Sequence, residues 1–361
     1  MCIRFKFEKS NLGRLLVAMI FAGVLFVKVS FPVTVLAGFG VFYFLIKNLE
    51  TEITSPIAKG ILTVLFLGGG SIFTTHLIQY LLLDAELRAK ITDTKLQLNV
   101  LCCLAVYLVI QIFTRNAGLT CVIAHCALMS FAGVNYFVYL FRGNEFIFSD
   151  LRSAATGLSV AGNYEFVLDD RAAYVVLISA LFVALVRKFR LKFEKKMWMI
   201  LICAVLAIAS CAYVADQSQG IVTETWEQKG SYRNGYLLNF ALSVRDSFVS
   251  APDGYSKEEI GQLEKQYSGD GDSYVEHDTE KKPTIIVVMS ESYSDLNVVG
   301  TIRTNEEVTP YFNSLSDNII RGYALSSVFG AKTPNSEWEF MTGNSMASLP
   351  SGSVVYQQYI S

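Results

Sequence analysis

The sequence predicts a polytopic α-helical membrane domain followed by the start of a water-facing α/β domain, and three observations carry that prediction. The 361 residues are 52% hydrophobic and only 17% charged, against about 25% charged in ordinary soluble domains. The apolar residues crowd the part before Val214, whereas the remainder has ordinary globular polarity. A continuous β-branched run, TIIVVM at Thr284–Met289, then follows a charged linker and has the pattern of a strand buried on both faces. A net charge of −2 gives no reason to expect a nucleic-acid partner.

A bilayer core takes about 20 mostly apolar residues per helix. The segments that fit are Leu12–Ser30, Pro32–Ile46, Ile61–Leu83, Leu98–Phe113, Ala117–Phe141, Ala172–Val186 and Trp198–Val214. Residues 1–214 are therefore expected to form a bundle of about seven spans, the first two as a tight hairpin. Lys and Arg near helix ends collect on the cytoplasmic side. The N-terminus carries Arg4, Lys6, Lys9 and Arg14, and the loop RKFRLKFEKK carries Arg187, Lys188, Arg190, Lys192, Lys195 and Lys196. Placing both inside requires an even number of crossings between them, and six segments lie there. The seventh then exports everything after Val214. The expected location is the cell (plasma) membrane, multi-pass, N-terminus in and C-terminal domain extracytoplasmic.

No cleavable signal peptide fits the first apolar stretch, which runs into a second. Six of the seven cysteines fall in the apolar segments and read as small apolar residues, with no spacing that suggests zinc. His76, Gln79, Gln111, His125 and Asn135 lie within the segments. They read either as a solute path or as interhelical hydrogen-bond partners. Gly68, Gly69 and Gly70 read as a site of close helix packing or a kink.

Two stretches look interfacial. In SDLRSAATGLSVAG, Ser149 stands as an N-cap, and Leu151, Ala154, Ala155, Leu158 and Ala161 follow at helical spacing. This helix, near 149–162, reads either as lying in the outer leaflet or as an ordinary loop helix packed on the bundle. Trp226, Tyr232, Tyr236 and Phe240 suit a membrane-proximal aromatic collar over 215–250. Residues 251–282 are charged and Gly-containing, and read as a flexible linker with one short helix near Lys257–Tyr267.

From 283 the chain reads as a new domain. The Thr284–Met289 strand ends in Ser290-Glu291-Ser292, and ligands in open α/β sheets bind beyond the carboxyl ends of strands. TPYFNSLSDN reads as a helix capped by Thr309 with Pro310 in its first turn, and FGAKTPNSEWEFMTG offers a second Thr-Pro helix start at Thr333. Thr-Pro alone is a capping signal. As chemistry, Glu291 offers a hard cation an oxygen ligand, and a cation-bound Thr333 hydroxyl would lose its proton more readily and become a nucleophile. The N–H groups of the following helix turn would face the attacked phosphate.

The stretches IIVVMSESYSD at 285–295, TPYFNSL at 309–315 and FGAKTPNSEWEFMTGNSMASLPSGSVVYQQYI at 329–360 resemble the lipoteichoic acid synthases and their phosphoglycerol-transferase relatives, in the alkaline phosphatase/sulfatase superfamily. RGNEFIFSDLRSAATGLSVAGNYEF at 142–166 and the helical segments before it share the resemblance. It implies a sulfatase-like α/β catalytic domain from 283 to 361. It also implies Glu291 and Thr333 as ligands of Mn2+ or Mg2+, with Thr333 as the catalytic nucleophile. The implied reaction takes glycerol phosphate from phosphatidylglycerol in the membrane, releases diacylglycerol, and passes the group to a lipoteichoic-acid-type polymer or another cell-envelope acceptor. A related phosphoethanolamine transferase shares the Glu and Thr logic. Sulfatase chemistry itself is disfavoured, because no C/S-x-P-x-R motif surrounds Thr333-Pro334. The family's downstream Asp-His ligand pair has no counterpart before Ser361, so the expectation is an inactive N-terminal fragment, truncated within its sulfatase-like domain. A non-enzymatic membrane fragment that binds lipid or a partner is the remaining alternative.

Overall fold

Within a bilayer no water is at hand for backbone N–H and C=O groups, so an apolar segment satisfies them by coiling on itself. In the structure, a computed structural model, all residues are described except 1, 29–31, 154–167, 193–196, 223–229, 249–253, 268–283, 291–292, 294, 296–297, 299, 327, 329–332, 350–352 and 361. Each expected apolar segment is helical: α1 (Ser10–Lys28), α2 (Val33–Lys47), α3 (Pro56–Leu82), α5 (Asp93–Thr114), α6 (Ala117–Arg142), α7 (Asp170–Val186) and α8 (Met197–Gln217), with a single turn, α4 (Ala85–Arg88), after α3. Five of these, α1, α3, α5, α6 and α8, are long and apolar enough to cross a membrane. The chain is a multi-pass membrane protein. α2 and α7 have 15 and 17 residues, or roughly 23 and 26 Å of rise, short of a full hydrocarbon core.

Local sequence sets the helix ends. Ser55 caps α3 by accepting the Ala58 N–H, with Pro56 next in the chain. Asp169 caps α7 by accepting the Ala172 N–H at 2.8 Å. Gly143, left-handed at φ 72°, stops α6.

The core is built where α3, α5 and α6 meet, through Leu77, Ile78, Leu81, Cys103, Tyr107, Cys121 and Leu128. Gly70 permits that approach, since a Cβ there would stand 2.9 Å from the Tyr107 ring. Gly68 and Gly69 face open space and do not share the role. A second core joins Ala22 and Leu25 of α1, Phe39 of α2, and Ala173 and Leu177 of α7.

The connections sort into two polar ends. At one, β1 (Cys2–Phe5) pairs antiparallel with β2 (Leu49–Glu52), so the basic tail is tied to the segment after α2. The Thr51 hydroxyl donates to the Lys188 carbonyl (2.6 Å), the Lys188 ammonium donates to the Lys47 carbonyl (2.6 Å), and the Ala117 N–H donates to the Leu191 carbonyl (3.3 Å). The N-terminus, the α2–α3 link, the α5–α6 link and the loop after α7 therefore share one end, and it carries both basic stretches. At the other end, Arg171 meets Asp84 at 2.5 Å, Tyr136 OH accepts the Asp169 N–H, and Phe148 N–H donates to Ser243 Oγ.

After α8, the chain forms α9 (Ser231–Asn234) and α10 (Tyr236–Asp246). Tyr236 is buried and Phe240 packs edge-on to Phe131 at 4.7 Å, so these two rings are part of the bundle's own packing. Trp226 lies outside the described residues. Ser149 falls inside a short 3-10 helix, Phe148–Ser153, and it is Asp150 that accepts the Ile147 N–H at 2.8 Å. The expected helical positions Ala154, Ala155, Leu158 and Ala161 lie outside the described residues.

The chain divides into two compact units, Met1–Ser247 with Pro350–Ser353 and Phe248–Leu349 with Val354–Ser361. The second contains α11 (Lys257–Tyr267), α12 (Pro310–Ser314), α13 (Thr333–Thr342) and α14 (Val355–Gln358). Here the expected α/β architecture is not found. Thr284–Met289 is in no strand, and Ile285, Ile286 and Val288 are 78%, 83% and 80% exposed. The strands among the described residues are β1 and β2, both in the first unit. A doubly covered strand takes backbone hydrogen bonds from a neighbour on each side, and no described segment supplies either one.

Candidate functional site

Thr333 is the first residue of α13 and Pro334 the second, so the ring of Pro334 sits where a helix has no N–H to lose. The Thr333 side chain is partly exposed. Contacts made further along the chain hold this helix. Asn335 is buried and accepts the Val355 N–H at 3.1 Å, which fastens α14 against α13. Glu339 accepts the Met346 N–H at 2.7 Å. Gly343, at φ 71°, ends the helix by donating to the Glu339 carbonyl. The helix Thr333–Thr342 is thus held by contacts with Val355 and Met346, and Thr333 stands in its first turn.

Thr309 differs from Thr333 in its local role. It occupies the N-cap position of α12 but makes no side-chain cap bond, and Pro310 follows at the first position. Around it, Tyr293 packs edge-on to Phe312 at 5.8 Å, and Arg321 donates to the Phe312 and Asn313 carbonyls. Tyr323 OH donates to Asp295 at 2.8 Å, and that carboxylate raises the phenol above its ordinary value. The segments 293–295, 309–314 and 321–323 are therefore brought together.

Glu291 lies outside the described residues, so its distance to Thr333 is not part of the site's geometry. Among the described residues, no group of three or more His, Cys, Asp or Glu gathers as a metal centre would require. Thr333 alone represents the expected ligand pair in the described residues. The described residues do not by themselves make up a cation site.

Several polar residues of the bundle have partners within it, while Nε2 of Gln79, of Gln111 and of His125 is buried without one. Thr74 hydrogen-bonds both Tyr107 OH (2.7 Å) and His125 Nδ1 (2.8 Å), joining α3, α5 and α6. Gln111 accepts from Thr120 at 2.5 Å, and Asn135 accepts the Phe146 N–H at 2.6 Å. Gln79 is buried, whereas His76 faces outward. The contacts of Thr74, His125, Gln111 and Asn135 fit fastening within the bundle.

Sequence reasoning missed a polar lock at the end opposite the basic one. The Asn99 amide donates to the Asn234 carbonyl (2.7 Å) and its oxygen accepts the Leu238 N–H (3.0 Å). Lys95 donates to Asn234 Oδ1 at 2.7 Å. Gly235 sits against Asn99 at φ 77°, and a Cβ there would collide with the amide. Glu145, nearly buried, accepts both the N–H and the hydroxyl of Ser231. The signals were Asn99 in an otherwise apolar segment and the Asn234-Gly235 dipeptide, a recurrent site of positive φ.

No family model matches the chain, and no solved structure matches it. The chain is similar to a protein of Rhizobium meliloti (strain 1021) named for cyclic beta-1,2-glucan modification, at 34% identity over 141 residues. Those residues are 39% of this chain and 21% of that protein, so the chain spans about a fifth of the relative it matches.

Proposed function

We propose that this is a membrane-anchored transferase that moves glycerol phosphate from phosphatidylglycerol to a cell-envelope acceptor, either a lipoteichoic-acid-type polymer or a glucan. The observation that carries the reading is Thr333 as the first residue of α13, inside the motif run 329–360. The relative named for glucan modification supports a polysaccharide acceptor, whose free hydroxyls are the nucleophiles that such a transfer consumes. The clustering of both basic stretches at one bundle end supports an N-terminus in the cytoplasm. The chain leaves α8 at the opposite end, which supports an extracytoplasmic location for residues after 248.

In this reading the Thr333 oxygen attacks phosphorus, an O–P bond to Thr333 forms, and the bond to the diacylglycerol oxygen breaks. Diacylglycerol leaves with a proton. An acceptor hydroxyl then attacks the same phosphorus and frees Thr333. The N–H groups of the first turn of α13 hold the phosphate oxygens. Glu291 and Thr333 would hold Mn2+ or Mg2+, a cation that supplies charge neutralisation and a lowered hydroxyl pKa when bound.

The test is mass spectrometry of the full-length protein given phosphatidylglycerol without acceptor, with phosphatidylethanolamine as a parallel donor. A glycerol-phosphate adduct on Thr333 with release of diacylglycerol is expected. An adduct on another residue, or an ethanolamine-phosphate adduct in preference, overturns the assignment.

A further inference from the structure

The basic end of the bundle holds a groove of about 410 Å³ whose lining is mostly charged. Arg4 enters from β1, Glu50 and Glu52 from β2, and Arg187, Lys188 and Arg190 from the loop after α7. Four cations against two carboxylates leave an excess of two positive charges. The walls are held in place by backbone. The β1–β2 ladder fixes Arg4 opposite Glu50, and Thr51 and Lys47 tie the Lys188 segment from both sides. The crowding has an electrostatic signature. Burial pulls Lys188 below the ordinary lysine value, and the charges of Lys47 and Arg14 push it the same way. Arg4, Arg187 and Arg190 are exposed, and with Lys188 they outnumber the two carboxylates, so the groove attracts an anion.

Strand alternation points to the kind of anion. Cys2 and Arg4 face the groove, whereas Ile3 and Phe5 lie on the other face of β1 and are 49% and 69% exposed. Phe7, 60% exposed, continues that apolar surface. The whole arrangement lies just beyond the ends of α1, α2 and α7. A phospholipid presents its phosphate at that level while its acyl chains run alongside the helices, and the apolar face of β1, turned away from the groove, fits the surrounding membrane interface.

We infer that this groove binds the phosphate of an anionic phospholipid headgroup at the membrane surface, as a site separate from Thr333. The groove belongs to the first unit alone, and its occupancy does not depend on the transfer reaction.

The experiment titrates the detergent-purified full chain with phosphatidic acid, chosen because it is not the donor proposed above. Phosphatidylcholine and sn-glycerol 3-phosphate serve as parallel ligands, and occupancy is read by native mass spectrometry. Phosphatidic acid should bind in preference to both. The double variant Arg187→Gln/Arg190→Gln removes two cations from the lining while leaving the Lys188 ties in place, and should bind about thirty-fold more weakly. Glu50→Gln removes a carboxylate from the lining and should bind about five-fold more tightly, a gain that misfolding cannot mimic. Arg88→Gln, at the opposite end, should leave binding unchanged. Equal binding by wild type and the double variant, weaker binding by Glu50→Gln, or no preference over phosphatidylcholine overturns the site. Binding of sn-glycerol 3-phosphate as tightly as phosphatidic acid overturns the lipid assignment.

Discussion

The helical bundle and the segment after Phe248 make opposite use of apolar residues. In the bundle, Leu77, Ile78, Tyr107 and Leu128 are buried by neighbouring helices that each satisfy their own backbone. In the later segment, Ile285, Ile286 and Val288 have a more strongly β-branched sequence, yet they remain exposed. A helix closes its hydrogen bonds within itself, so an apolar helix needs only side-chain partners. A strand needs backbone partners first, and its side chains are buried only as a consequence. The bundle is therefore built on long-range packing, whereas the helix that carries Thr333 is held by contacts nearer in the chain.

The sharpest break between scaffold and chemistry is Thr333 against Thr309. In the full-length protein, Thr333→Ala should lower glycerol-phosphate transfer by about a thousand-fold or more, with expression unchanged, while Thr309→Ala retains most activity. Equal losses at the two positions would reduce both to helix starts. Hydrogen exchange compares the regions directly. Amides of 284–289 should exchange about a thousand-fold faster than those in the middle of α5, and comparable protection would mean that the strand has found its partners.

Two glycines sharpen the comparison further, because Gly235 and Gly343 have nearly the same φ, 77° and 71°. Around Gly343 nothing lies within 4 Å of the place a methyl group would take, whereas Gly235 abuts Asn99. Gly235→Ala should cost about 3 kcal/mol, from left-handed strain plus displacement of the lock, and Gly343→Ala about 1 kcal/mol from strain alone. Thermal unfolding in detergent reads the first, and proteolysis at 343–350 reads the second. Ser231→Ala, which strips one donor from the nearly buried Glu145, should cost about 2 kcal/mol, with faster exchange in α9 and α10. The smallest effect is expected at Arg171. Its pair with Asp84 is largely exposed, so Arg171→Gln should change stability by less than about 1 kcal/mol.

The bundle was legible because length and hydropathy report on single helices. Predicted and observed ends of α6 and α7 agree within two residues, and α3 begins earlier only because Ser55-Pro56 is a stronger start than hydropathy reveals. The grouping of basic loops at one end followed from charge and parity. The partners within each end did not, since Asn99 and Asn234 are joined only by the fold. Close packing at Gly70 was anticipated, but not which of three consecutive glycines would provide it, because that depends on where Tyr107 falls. In the candidate site, the helix start at Thr333 could be read from Thr-Pro. The Thr284–Met289 strand was read from side chains alone, which carry no information about whether a neighbouring strand is there to pair with.

The pairing of β1 with β2 also has a consequence for biosynthesis. Cys2–Phe5 waits for Leu49–Glu52 to emerge from the ribosome, Lys47 and Thr51 wait for Lys188, and Ala117 waits for Leu191. The basic end is thus completed only when the loop after α7 has been made, long after α1 and α2. An α7 inserted upside down would carry Lys188 to the wrong face and leave the Lys47 carbonyl and the Thr51 hydroxyl open. Closure of this end therefore depends on where α7 ends, through the bonds of Thr51, Lys47 and Ala117 to residues 188–191.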